Sequence, residues 1–404
     1  MSFPSDFWWG TAASSTQAEG AAPRSDWARW EALGKAPPSR DGNGFATNYG
    51  ADFQLLAEYG LTHHRLSIEW ARIEPYEGKR DSDAIDHYTD ILRAARDAGV
   101  QPWVCLHHFT LPGWFSDDMS GFLDERGRSY YWARHVDFVA ETFGDLVFGW
   151  KPINEPVAYA GAGWLLGTHP PGRTDVGAFL EALEAVHLAN FEAWRLLSSG
   201  DRPVATIQSL SPLYPADASP ETVGALSTVD EVVWGSWIRA LRDGVLQVPG
   251  RPPIERDDFV GAFDLIGFSY YSAQTVHADL SMTAYPADAR LSPLGYAPWS
   301  EGLRLCLDRL ADELPGRDLL VCEHGVGTDD DGWRCEILRE SLRLAQGAID
   351  DGLPLRGFFH WTGIDNYEWL HGYDVQFGLF DRDRNPRGSA ELARQWAARS
   401  DIQR

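Results

Sequence analysis

Cysteine, long apolar runs and positive charge are all scarce in this chain of 404 residues. Its four cysteines, at positions 105, 306, 322 and 335, form no CxxC pair and have no Cys/His spacing of the kind that holds zinc. No stretch approaches the roughly 18–20 apolar residues of a membrane helix, and neither a glycosylation sequon nor a basic-then-apolar leader is visible. We therefore expect a cytoplasmic protein with no membrane partner and no metal site.

Acidic residues outnumber basic ones, with 59 Asp and Glu against 35 Lys and Arg, which gives a formal charge of −24. Nucleic acid and anionic membranes both attract a basic protein face, so this balance excludes them as main partners. Apolar residues nevertheless make up 44% of the chain, and aromatic residues 13%. That content excludes intrinsic disorder and is sufficient for a sizeable core.

Short strand-like segments alternate with longer helical ones along the chain. Strands are predicted at Phe7–Thr11, His63–Trp70, Gln101–Phe109, Phe148–Asn154, Pro203–Leu210, Asp264–Tyr271, Asp318–Glu323 and Gly357–Thr362. Helices are predicted at Ala51–Tyr59, Ala84–Ala98, Tyr130–Phe143, Val176–Ser199, Thr228–Leu241, Glu301–Leu310, Trp333–Ile349 and Ala390–Arg399. These alternations predict an α/β fold, a (β/α)8 TIM barrel that forms a single domain over residues 1–404. A doubly wound parallel sheet is the alternative, weakened because no G-x-G-x-x-G follows a strand.

Polar, ionisable and aromatic side chains gather at or just beyond the ends of the predicted strands. In chain order they are Gln17, Arg65, His108, Asn154, Glu155, Tyr271, Glu323, Trp361, Glu368 and Trp369. Active sites of such barrels lie at the C-terminal ends of the strands, so we expect these side chains in one pocket.

Two carboxylates facing each other across a barrel mouth are suited to glycoside hydrolysis. Glu155 and Glu323 follow the fourth and seventh strands. At a separation of about 5–5.5 Å one carboxylate attacks the anomeric carbon while the other, kept protonated by its neighbour's charge, protonates the leaving oxygen. Gln, His and Asn side chains pair with hydroxyls, and Trp offers a flat apolar face to a sugar ring.

At these residues the sequence resembles glycoside hydrolase family 1, the retaining β-glucosidase family. The resemblance runs from Phe7 to about Ala390. It is carried by seven motifs in family order: FWWGTAASSTQAEG (7–20), GLTHHRLSIEWARIEPYEG (60–78), LHHFTLPGW (106–114), INEP (153–156), FSYY (268–271), VCEHG (321–325) and HWTGIDNYEWLHGYDVQFGLF (360–380).

The resemblance implies hydrolysis of terminal non-reducing β-D-glucosyl residues by double displacement, without a cofactor. It implies that Glu155 is the acid/base and Glu323 the nucleophile, and that Arg65 and Tyr271 contact that nucleophile. Asn154 would bond the 2-hydroxyl, and the remaining glycone contacts would come from Gln17, His108, Trp361, Glu368 and Trp369. The expected partner is a small β-glycoside, and a homo-oligomer is left open.

The sequence departs from the family pattern beside the chemistry. Cys322 and His324 replace the usual Thr and Asn around the nucleophile, Ser269 stands where Asn is usual, Thr110 replaces a common Asp and Phe109 a frequent Trp. Two segments, 212–264 and 271–302, are shorter than usual, which suggests an open aglycone site that accepts bulky aglycones. Three other glutamates, Glu58, Glu74 and Glu77, are interpreted as solvated.

Several alternatives remain at this stage. Within the family they are a β-galactosidase or β-fucosidase and a transglycosidase. Outside it they are a carbohydrate-binding pseudoenzyme and a metal-dependent hydrolase, the latter disfavoured because no HxH is present. Activity on 6-phosphoglucosides is expected to be negligible. Phosphate-binding members of the family place a Ser and a Lys near the GY motif, whereas this segment has Asp374 and no Lys, and an acidic residue repels phosphate.

Overall fold

Eight parallel strands close into a barrel in the computed structural model, which describes residues 3–400. Within residues 3–400 there are thirteen strands, of which five lie outside the barrel. In chain order they are β1 (Trp8–Ala12), β2 (His63–Ser67), β3 (Gln101–His107), β4 (Gly149–Ile153), β5 (Gln208–Ser209), β6 (Leu213–Pro215), β7 (Val245–Leu246), β8 (Ile254–Glu255), β9 (Leu265–Ser269), β10 (Ala273–Val276), β11 (Met282–Tyr285), β12 (Asp318–His324) and β13 (Leu355–Trp361). The barrel order is β1, β2, β3, β4, β5, β9, β12, β13 and back to β1. The predicted (β/α)8 barrel is therefore confirmed.

Helices surround the barrel between these strands. The α-helices are α1 (Ser15–Glu19), α2 (Asp26–Ala32), α3 (Phe45–Glu58), α4 (Trp70–Ile73), α5 (Ser82–Asp97), α6 (Gly113–Ser116), α7 (Ala133–Phe143), α8 (Pro156–Ala160), α9 (Val176–Leu197), α10 (Pro220–Asp230), α11 (Ser236–Asp243), α12 (Glu301–Glu313), α13 (Asp331–Asp350) and α14 (Gly388–Ser400). Side-chain N-caps fix several starts: Asp81 accepts from Ala84 N, Asp175 from Ala178 N and Asp330 from Trp333 N. Among residues 3–400, none of these helices combines the length and apolar character needed to span a membrane.

The fifth barrel strand is much shorter than predicted. The apolar run at 203–210 predicts a full strand, yet only Gln208 and Ser209 pair regularly, with β9. The rest of the run reaches its neighbours through single bridges, Trp150 to Val204 and Ala205 to Leu265. Backbone bonds from Trp150 N to Pro203 O and from Ala205 N to Trp150 O, at 2.8 and 2.9 Å, complete the closure.

The two segments expected to be shortened loops are folded. The first, 212–264, contains α10, α11 and the β7–β8 hairpin, and α10 begins at Pro220, before the predicted start at Thr228. The second, 271–302, supplies β10 and β11, which join β6 in a three-stranded sheet. The mouth of the barrel on this side is therefore bordered by regular structure.

The closed end of the barrel is filled by large aromatic side chains. Trp103 and Phe359 lie inside it, together with Ile207, Leu265 and Leu320. Such side chains fit because glycines face them: a Cβ at Gly149 would lie 2.4 Å from the Trp103 ring, and one at Gly10 would lie 2.6 Å from Phe359. We call this group the barrel-floor cluster. It fills the barrel interior below the C-terminal ends of the strands.

Candidate active site

Glu323 reaches the cavity because β12 carries a bulge. Val321 pairs with Phe268 and Glu323 with Ser269, the next residue of β9, so Cys322 is an extra residue in the ladder. Without a bulge, residues 322 and 323 would point to opposite faces of the strand. With it, Cys322 packs into the barrel-floor cluster while Glu323, 4% exposed, faces the open end.

The Glu323 carboxylate is held by two donors. Arg65, fully buried in the middle of β2, forms a salt bridge with its Oε1, and Tyr271 donates its hydroxyl to Oε2 at 2.7 Å. Burial and the Glu323 charge raise the pKa of Tyr271 well above its usual value, so the phenol keeps its proton and stays a donor. The two donors fix the positions of both carboxylate oxygens.

The other guanidinium nitrogen of Arg65 orders two more side chains. It lies 2.7 Å from His108 Nδ1 and 3.4 Å from Asn154 Oδ1. An arginine only donates, so both of these atoms are acceptors. His108 therefore carries its proton on Nε2 and Asn154 has its NH₂ free, which leaves both side chains as hydrogen-bond donors toward a ligand.

Glu155 lies at the end of β4 in a left-handed backbone conformation, with φ of 48°. Its amide donates to Ile207 O at 2.9 Å, and Pro156 begins α8 directly after it. Burial and, second, the charge of Glu323 raise the pKa of Glu155 to about 8, although the Ser269 hydroxyl acts in the opposite direction. Glu155 is thus protonated at neutral pH.

The inner end of the cavity is lined by hydrogen-bonding side chains around Glu368. Its Oε2 accepts from Gln17 Nε2 at 3.1 Å and its Oε1 from Trp361 Nε1 at 3.2 Å. Burial, with a smaller contribution from Glu323, raises the pKa of Glu368 to about 8. The rings of Trp361 and Trp369 stack at 14° and 12° on His108. This end therefore offers flat apolar faces and polar atoms side by side.

All ten residues singled out in the sequence lie together. Nine of them line one cavity of about 320 Å³, and Arg65 lies directly behind it, bonded to Glu323. The sequence analysis did not predict the rest of the outer lining, which includes Ser209, Leu210, Ser211, Ser272, Gln274, Leu294, Tyr296 and Phe377. Ser211 and Ser272 directly follow the predicted strands that end at Leu210 and Tyr271, and this position is the signal that could have identified them.

The residues near Glu323 that depart from the family pattern have defined structural partners. His324 Nδ1 donates to Tyr270 O at 2.8 Å, which ties the end of β12 to the end of β9. Burial lowers the pKa of His324 to about 4, so the ring is neutral. Thr110, which stands where Asp is common in the family, donates to Glu69 Oε2 at 2.8 Å. The Glu69 carboxylate therefore lies beside this position. None of these residues separates Glu323 from its donors.

One glutamate interpreted as solvated is buried. Glu74 is 3% exposed; it forms a salt bridge with Arg134 and accepts from Trp70 Nε1 at 3.1 Å. The prediction for Glu74 is wrong because the chain turns after α4, and Gly78 N also bonds this carboxylate at 2.6 Å. Glu58 and Glu77 are exposed as predicted.

Comparison with known proteins identifies the family of this chain. The model for "Glycosyl hydrolase family 1" matches residues 1–398. The chain belongs to glycosyl hydrolase family 1. The predicted resemblance is confirmed, and the retaining mechanism is a general feature of this family.

Members of family 1 resemble the chain over nearly its full length. A β-glycosidase from Pyrococcus horikoshii of known structure is 29% identical with a TM-score of 0.91, covering 99% of this chain and 95% of its own. Thermostable beta-glucosidase B from Thermobispora bispora is 30% identical, covering 92% of this chain and 85% of its own. The 6-phospho-beta-glucosidase GmuD from Bacillus subtilis is 26% identical, covering 93% and 92%.

Proposed function

We propose that this protein is a β-glucosidase that hydrolyses terminal non-reducing β-D-glucosyl residues with retention of configuration. The observation that carries the proposal is the contrast between the environments of two carboxyls in one cavity. Glu155 keeps its proton up to a pKa of about 8, while Glu323 is paired with Arg65 and Tyr271. This difference is what a general acid and a nucleophile require.

In the first step, Glu323 attacks the anomeric carbon while Glu155 gives its proton to the glycosidic oxygen. The aglycone leaves, and a glycosyl ester forms on Glu323. In the second step, Glu155, now ionised, takes a proton from water as that water attacks the same carbon. Glu323 leaves as a carboxylate, and Arg65 and Tyr271 stabilise the charge that returns to it.

The inner end of the cavity supports a glucosyl glycone. Gln17, Glu368 and the Nε2–H of His108 can pair with equatorial hydroxyls, and Asn154 can donate to the 2-hydroxyl. Glu368 has two oxygens that can form hydrogen bonds with the 4- and 6-hydroxyls together, so galactose and fucose are tolerated to some degree. A β-galactosidase or β-fucosidase activity of the same site is the second candidate, because this pair of oxygens does not depend on one C4 configuration.

A panel of 4-nitrophenyl glycosides tests the proposal. We expect turnover of the β-glucoside, lower turnover of the β-galactoside and β-fucoside, and none of the α-glucoside. Product configuration followed by NMR should show β-glucose first. Release from the α-glucoside, or no release from any β-glycoside, would contradict the proposal, and the latter result would favour a carbohydrate-binding protein without turnover.

We expect glucoside 6-phosphates to be poor substrates, although one relative is named for such an activity. Asp374 is exposed and does not line the cavity, so the original reason for this expectation is wrong. The stronger reason is that no Lys or Arg is among the residues that line the cavity, and Arg65 behind it is already paired with Glu323. A 6-phosphate would lie beside Glu368, and no cationic side chain of the cavity lining would pair with it.

We expect kcat/KM to fall at least about 100-fold for 4-nitrophenyl β-glucoside 6-phosphate relative to the unphosphorylated substrate. Equal values would contradict this.

We also propose a cytoplasmic location. The four thiols are unpaired, and those of Cys105, Cys306 and Cys322 are buried in the core. Reduced thiols in a core are typical of a reducing compartment.

A further inference from the structure

The turn that follows Glu323 lies outside the barrel ladders. Strand β12 pairs with β13 up to His324, and the next backbone bond to a neighbouring segment runs from Thr328 N to Gln376 O at 2.8 Å. The three residues between these points, 325–327, are Gly, Val and Gly. We call residues 325–327 the β12 turn.

The β12 turn packs too closely for its two glycines to carry side chains. A Cβ at Gly325 would lie 2.1 Å from Trp361 O, and one at Gly327 would lie 2.7 Å from Val375 and 2.8 Å from Phe377. The turn is therefore pressed against the end of β13 and the segment beyond it. A side chain that holds the backbone of the turn by hydrogen bonds has to come from another part of the chain.

Tyr296 supplies such a side chain. Its hydroxyl accepts a hydrogen bond from Gly327 N at 3.2 Å and lies 3.5 Å from Gly325 O, to which it can donate. Within residues 3–400 the β12 turn makes no other hydrogen bond. One hydroxyl thus spans both ends of the turn, which begins two residues after Glu323.

The ring of Tyr296 connects the same residue to the cavity. It lines the cavity, and its centroid lies 6.0 Å from that of Tyr271, which donates to Glu323 Oε2. Tyr296 belongs to the 271–302 segment, where Ser292 N bonds Tyr296 O at 2.8 Å. Tyr296 therefore reaches the surroundings of Glu323 by two routes, the backbone that follows this carboxylate and one of the two side chains that donate to it.

We propose that Tyr296 is a positioning residue, whose hydroxyl holds the β12 turn and with it the Glu323 carboxylate in line for attack. This inference rests on the proposed function, in which Glu323 is the nucleophile. Attack on an anomeric carbon depends on alignment, and a displacement of about 1 Å can cost about 100-fold in rate. Without the hydroxyl the turn still packs against β13, so we expect a smaller loss, of about tenfold.

Tyr296→Phe removes the hydroxyl and keeps the ring. The reagent 2,4-dinitrophenyl 2-deoxy-2-fluoro-β-glucoside reports formation of the glycosyl ester alone, because the fluorine slows the second step and this leaving group needs no proton from Glu155. We expect the labelling rate at saturating reagent to fall about tenfold, while the reagent concentration at half-maximal rate changes less than about twofold. A variant that is only destabilised would yield less labelled protein and a lower melting temperature, with the rate per labelled site unchanged.

Tyr285→Phe is the matched control for this experiment. Tyr285 lies in the same 271–302 segment, but its ring stacks on Tyr214 at 4.0 Å and does not line the cavity. It should label at the wild-type rate.

Amide hydrogen exchange tests the contact without turnover. In Tyr296→Phe the Gly327 amide loses its acceptor, so we expect peptides that cover residues 325–328 to exchange at least about tenfold faster than in the wild type or in Tyr285→Phe. An unchanged exchange rate, or an unchanged labelling rate per site, would overturn the proposal. If the wild type is neither labelled nor active on any β-glycoside, the proposed function fails, while exchange at Gly327 still decides whether Tyr296 holds the turn.

Discussion

Glu323→Gly is expected to lower kcat on 4-nitrophenyl β-glucoside by at least about 10⁴-fold, because it removes the atom that bonds to the anomeric carbon. The substitution also leaves Arg65 and Tyr271 facing a small cavity without their anion. Steady-state rates at saturating substrate, with the protein's melting temperature recorded alongside, measure this effect.

Azide or formate should restore part of the activity of Glu323→Gly. A small anion can occupy the space between the two donors and attack from the side the carboxylate used. One displacement inverts the anomeric carbon, so the product with azide should be the α-glucosyl azide. Glu74→Gln is the matched control, since Glu74 is also buried and paired with an arginine but lies outside the cavity. Retention of more than a few per cent activity in Glu323→Gly, or a β-azide, would contradict the assignment.

Glu155→Ala is expected to have an effect that depends on the leaving group. A general acid contributes about 10²–10⁴-fold where the leaving oxygen needs a proton. We therefore expect kcat/KM on an alkyl β-glucoside to fall by about that factor. On 2,4-dinitrophenyl β-glucoside, whose phenolate leaves unaided, kcat/KM should fall less than about tenfold. Equal losses on both substrates would mean that Glu155 is not the acid.

The pH profile of activity is a second test of the proposed role of Glu155. The pKa of Glu155 is raised to about 8, so the acid form predominates below that pH and is lost as the pH rises through it. The wild type should lose activity on the alkyl glucoside with a basic limb near pH 8. In Glu155→Ala the limb should vanish on the activated substrate. A basic limb that persists there would assign it to another group, with Glu368 the first candidate.

The sequence pattern was sufficient for most of the barrel and for the inner site. Apolar runs bounded by turns located every barrel strand to within a few residues, except β5. That run is apolar because Ile207 and Ala205 fill the barrel-floor cluster, whereas its backbone pairs regularly only at Gln208 and Ser209. The sequence pattern indicates which residues are buried, but it does not indicate which backbone groups pair with a neighbouring strand. At β5 the buried run is longer than the paired one.

The features of the site that the sequence did not predict are features of local backbone geometry. Phe109, Glu155 and Trp369 all line the cavity with positive φ values of 68°, 48° and 47°. None is a glycine, so no residue type marks these turns in advance, and the packing around them must compensate for the strain. No residue type in the sequence indicates the bulge at Cys322 either.

The short fifth strand gives Glu155 and Glu323, the two carboxyls of the proposed mechanism, unequal anchorage. Glu323 belongs to β12, which is flanked by continuous ladders to β9 and β13. Glu155 is tied to the β5 segment by its amide bond to Ile207 O, and that segment meets β4 through a single bridge. Breathing of the barrel should start at this seam, since sparse pairing has the lowest opening free energy. Such opening would displace Glu155, the proposed proton donor, while Glu323, the proposed nucleophile, stays in register, so aglycone and water would exchange beside a fixed glycosyl ester.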